Sequence, residues 1–147
     1  MKHLKTFLAL TFIFVANSIS AQSTFEKWPA IKEFHEIMSQ TFHPAEEGNF
    51  GPIKARSEEM MSKAAMLLKS DIPEEFRTNS ILASSERLQL KSKALHKLVI
   101  SNGSDAEILK SITDLHDTFH EIVGLCSEQK KIITKPNRLI RLCYFNT

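Results

Sequence analysis

Four successive stretches of this 147-residue chain repeat apolar residues every three to four positions, and turn signals separate one stretch from the next. That spacing is the period of an α-helix with one buried face, and it predicts four helices. The first runs from about Phe25 to Phe42, with Trp28, Ile31, His35, Met38 and Phe42 forming one stripe. Pro29 suits its first turn, and Pro44 is expected to end it. The second begins at Pro52 and continues to about Lys69, with Ile53, Met60, Ala64 and Leu67 facing inward. A DIPEEFRTN linker leads to a third helix, capped by Asn79 and carrying Leu88, Leu95 and Val99 on its inner side. Asn102-Gly103 is a stop signal after it. Ser104 and Glu107 then form a capping box for the fourth helix, whose stripe is Ile108, Ile112, Leu115, Phe119 and Ile122, ending near Gly124 to Cys126.

No stretch alternates apolar and polar residues as a half-buried strand would, and only four glycines are available for tight turns. The expected fold class is therefore all-α. Three short connections favour antiparallel neighbours, which makes an up-down-up-down four-helix bundle the economical arrangement.

The two ends of the chain read differently from its body. Lys2 and Lys5 precede a ten-residue apolar run from Phe7 to Ala16, and a small polar NSISAQS stretch follows. This is the pattern of a secretory signal peptide over residues 1–21, too short for a membrane span of about 20 apolar residues. It predicts a periplasmic or secreted protein with no transmembrane segment after cleavage. Residues 22–127 form the bundle, about 125 residues with the tail being enough for one domain with its own core. The tail, residues 128–147, is basic and hydrophobic and contains Pro136, so one regular helix is not expected through it. It reads either as an extension folded over the bundle or as a surface for a partner.

Charge narrows the partners. The whole chain carries 19 basic and 17 acidic residues, but two lysines belong to the signal and five basic residues to the tail. The body is left with 12 basic and 16 acidic residues and no basic stripe, which speaks against nucleic acid. Cys126 and Cys143 are the only cysteines, and an oxidising compartment permits a disulfide between them.

Antiparallel packing turns spacing into levels, because each helical residue rises about 1.5 Å. Setting the start of the first helix against the end of the fourth places His35 near His116 and His120, with Met60 or Met61 level on the second. His116 and His120 are four residues apart, which puts two imidazoles on one helix face where they can share a metal ion. His35 would add a third ligand, and Met38 or Met60 a thioether suited to copper. The competing account is a set of boundary histidines with methionines as core filler. Glu121 reads as a solvent-facing carboxylate or one that orients His120. His43 lies eight residues beyond His35, about 12 Å along a regular helix, so the two are not expected to share an ion. With Glu46, Glu47 and Asn49 it forms either a small site at the bundle end or a plain helix stop.

This layout resembles the periplasmic four-helix bundles of the cytochrome c-prime and cytochrome b562 type, over roughly Phe25 to Cys126. The segments FHEIMSQTFHPAEEGN and LHDTFHEIVGLC also resemble parts of small secreted bacterial bundles. The c-prime resemblance implies covalent haem at C-x-x-C-H, but here the region reads GLCSEQK, with Gln129 and Lys130 in place of the second cysteine and the histidine. The b562 resemblance implies haem held by a methionine on the first helix and a histidine on the fourth, residue types that Met38 and His116 or His120 supply. Three functions are thus expected as alternatives: a copper or zinc site at His35, His116 and His120, with Met38, Met60 or His43 as an additional ligand; non-covalent haem; or a cofactor-free structural or interaction protein of the cell envelope. No nucleophile with an adjacent base is legible, so an enzyme is not expected.

Overall fold

The computed structural model describes residues 24–134, and every element within them is helical, with no strand among the described residues. The signal peptide expected over 1–21, Cys143 and the tail from residue 135 lie outside them. One helical turn at 24–27 leads into α1 (Pro29–Glu46), α2 (Gly51–Lys69), a 3-10 turn (Glu74–Phe76), α3 (Asn79–Ile100) and α4 (Asp105–Thr134). Successive helices pack against each other and α1 closes against α4, so the four surround one core.

Helix boundaries follow local chemistry, with three departures from the sequence expectation. The cap of α3 is Thr78 rather than Asn79: its Oγ1 accepts the Ile81 N–H at 3.3 Å while Thr78 keeps an extended backbone. Pro44 does not end α1, which continues to Glu46. A proline in the last turn forfeits a single backbone bond, and the chain stops only where Gly48 turns left-handed at φ 85°. The third departure is α4, which runs past Cys126 to Thr134, so the described part of the tail continues that helix.

The stop after α3 behaves as the Asn102-Gly103 pair suggests. Asn102 sits at φ 56°, its N–H bonds Val99 O at 3.1 Å, and the Gly103 N–H bonds Leu98 O at 2.9 Å. That pair of bonds satisfies two orphan carbonyls at the helix end. The capping box of α4 is also present, with Ser104 N–H to Glu107 Oε2 at 2.9 Å and Glu107 N–H to Ser104 Oγ at 3.3 Å.

The core contains the apolar stripes of all four helices, including Ile53, Met60, Leu67, Leu88, Leu95 and Phe119, each fully or almost fully buried. One stripe differs. On α1 it is Phe34, not His35, that enters the core, and Phe34 meets Phe119 with ring centroids 5.5 Å apart. His35 is exposed at the edge of that stripe. At one end of the bundle Trp28 is wholly buried, packs on Phe76, and donates its indole N–H to Ser70 Oγ at 2.9 Å. This closes the end of the core with an aromatic lid whose polar group is paired.

Candidate functional site

The α1–α4 seam has the fewest close backbone approaches among the four neighbouring helix pairs, and aromatic rings fill the gap. Below its surface lies the Phe34–Phe119 contact. Above it, His35 stacks on Phe25 at 5.1 Å and on Phe119 at 5.5 Å between centroids. Toward the end of α1, His116 lies face to face on Phe42, with centroids 3.9 Å apart and planes 16° off parallel. His120 meets His116 edge-on at 4.4 Å. Three of the chain's six histidines therefore line one seam, set on a floor of phenyl rings.

The sharpest contact in this strip joins His116 and His120, whose Nε2 atoms are 3.0 Å apart. Neutral imidazoles at that distance share one proton, because one Nε2 donates and the other accepts. Two zinc-bound imidazole nitrogens in tetrahedral geometry, each 2.0–2.1 Å from the ion, would stand about 3.4 Å apart. A small rotation opens the pair to that separation.

Electrostatics favour neutral rings here. Burial against the rings is the main cause that lowers the pKa of His116, followed by repulsion from His120, with Asp117 and Glu46 opposing the shift. Burial, again followed by repulsion from His120, lowers that of His35, with Glu36 opposing. Neutral imidazole is the form that binds a metal ion.

His43 occupies the same seam one step further on, its ring 6.5 Å from that of His116 and nearly perpendicular to it. Spacing sets His43 about 12 Å along the helix from His35 and leaves it beside the expected helix stop. The helix passes through Pro44 instead, so Glu46 falls three residues after His43 on the same face, with Oε2 3.2 Å from His43 Nδ1. Sequence reasoning undervalued this pair, and the i,i+3 spacing was its available signal. It also missed Phe25 as a ring supporting His35.

The other candidates lie elsewhere. Met38 and Met60 are buried in the core at 1% and 0% exposure, away from the solvent that His120 and His43 meet. Cys126 is wholly buried, and burial pushes the pKa of its thiol up to about 12. Its pairing with Cys143 lies outside the described residues. Glu121 does not serve His120: Arg87 and Ser84 of α3 hold it, at 2.6 and 3.0 Å from Oε1. His96, on α3, faces Ser57 at 3.1 Å instead of the seam. As the side chains stand, no group of three His, Cys, Asp or Glu residues converges on a metal position among the described residues. The seam therefore supplies a convergent pair of imidazoles and two further histidines nearby.

The chain matches no family model, no curated protein and no solved structure. Among the described residues, no helix is long and apolar enough to cross a membrane.

Proposed function

We propose that the protein is a helical-bundle binding protein of the periplasm or extracellular space that holds one divalent transition-metal ion, copper or zinc, at the α1–α4 seam. His116 and His120 supply two ligands, and a histidine of α1 supplies a third. The observation that carries this reading is the 3.0 Å approach of the two Nε2 atoms on a partly exposed helix face. Its support also includes the burial that lowers the pKa of His116 and so favours the neutral ring. Imidazole is preferred to thioether ligation because Met38 and Met60 belong to the core.

The helices are read as an up-down-up-down bundle. Ring contacts support that course: His35 of α1 meets Phe119 of α4, whereas Phe42, further along α1, meets His116, further back along α4. The signal-like residues 1–21 support export, and a binding role is preferred to catalysis because the wholly buried Cys126 thiol is held protonated.

Titration of the purified protein with zinc chloride or copper(II) sulfate, followed by metal analysis, is expected to give one ion per chain. The His116→Ala, His120→Ala double variant is expected to lose it. An unaltered stoichiometry in that variant removes the assignment.

A further inference from the structure

We infer that the third ligand is His43, with Glu46 as the residue that positions it, and that His35 is not a ligand; this rests on the metal-binding reading above. A carboxylate oxygen only accepts hydrogen bonds, so the 3.2 Å contact between Glu46 Oε2 and His43 Nδ1 places the imidazole proton on Nδ1. The lone pair is then on Nε2, the nitrogen left free to bind an ion. Metal-ligating histidines recurrently donate their other ring N–H to a carboxylate, which fixes the tautomer and raises ligand basicity.

Position agrees with this chemistry. His43 has Phe42 at 5.5 Å and His116 at 6.5 Å as ring neighbours, while those of His35 are Phe25 and Phe119. Three imidazoles around a tetrahedral ion have centroids about 5 Å apart, so His43 must swing inward by roughly 1 to 2 Å. Its side chain is 62% exposed and that of Glu46 50%, so the two can turn together without disturbing the core. Recruiting His35 would strip its ring from two phenyl contacts, whereas His43 leaves one, that with Phe42.

Zinc affinity, measured by competition with a chromophoric chelator at neutral pH, separates the alternatives. His43→Ala and Glu46→Ala are each expected to weaken binding about 10- to 100-fold, with Glu46→Gln between Glu46→Ala and wild type, because Gln still accepts the Nδ1 proton but carries no charge. His35→Ala is expected to bind as wild type does. Thermal melting of the metal-free Glu46 variants should match wild type, which a merely structural role for Glu46 at the helix end would not give. Wild-type affinity in His43→Ala, or a loss confined to His35→Ala, overturns the third-ligand assignment alone. A wild-type protein that takes up no zinc, or a His116→Ala, His120→Ala variant that takes it up unchanged, overturns the metal reading as well.

Discussion

The imidazole of His116 lies flat on the phenyl ring of Phe42, with ring centroids 3.9 Å apart. The contact joins the core to the candidate site, because Phe42 is almost fully buried while His116 reaches the surface. Phe42→Ala removes both the core packing and the platform for His116. It is expected to destabilise the fold by about 3–5 kcal/mol, and Phe42→Leu by less. Urea unfolding checks the stability, and histidine NMR signals should show His116 losing its ring-current shift in both variants.

Acid should weaken the fold before the carboxylates titrate. Burial, then the neighbouring His120, holds the pKa of His116 below its ordinary value of 6.5, and the same two causes act on His35. A group whose folded pKa is depressed leaves stability intact above its unfolded value and erodes it as pH falls below that value. Stability is therefore expected to be level above about pH 6.5 and to decline toward pH 5. Urea midpoints measured across that range should show the decline, and His116→Gln should flatten it.

Cys126 should be chemically silent in the folded protein. Its thiol is wholly buried, and burial raises its pKa to about 12, so almost no thiolate is present near neutral pH. In a Cys143→Ser background, which leaves a single thiol, reaction with an aromatic disulfide reagent is expected only as fast as the protein opens. Labelling at the rate of an unfolded control would contradict the burial.

Ser70 should matter more than its modest exposure suggests. Its Oγ accepts the indole N–H of Trp28 at 2.9 Å and donates to Leu67 O at 2.8 Å, which ties the start of α1 to the end of α2. Ser70→Ala leaves a buried N–H without its partner, at a cost of about 1–3 kcal/mol. Trp28 is the chain's one tryptophan, so its fluorescence reports both the unfolding midpoint and any change at the indole.

Much of the core was legible from spacing. Ile53, Met60, Ala64 and Leu67 of α2, and Ile108, Ile112, Leu115, Phe119 and Ile122 of α4, are all buried as their period requires. His35 lies at the exposed edge of the α1 stripe and not in its centre, because residues three and four apart share a broad face and spacing does not tell the centre of that face from its edge. Phe34, one position away and larger in apolar area, took the centre. Pro44 misled in the other direction, though only slightly: the helix runs two residues past it, to Glu46.

Residue order alone makes this chain helical, sets where most of its helices begin and end, and turns most of its apolar stripes inward. Those properties come from 3.6-residue periodicity, caps and turn residues, all of which act within a few positions along the chain. Helix packing sets what lies on the α1–α4 seam: that His116 meets His120 at 3.0 Å, that the His43 ring stands 6.5 Å from that of His116 with Glu46 beside it, and that Glu121 is claimed by Arg87 from α3. These contacts depend on helix rotation and register, which are set by how the large rings of Phe34, Phe42 and Phe119 fit between the helices. No local pattern encodes that fit, because it is a property of both surfaces at once.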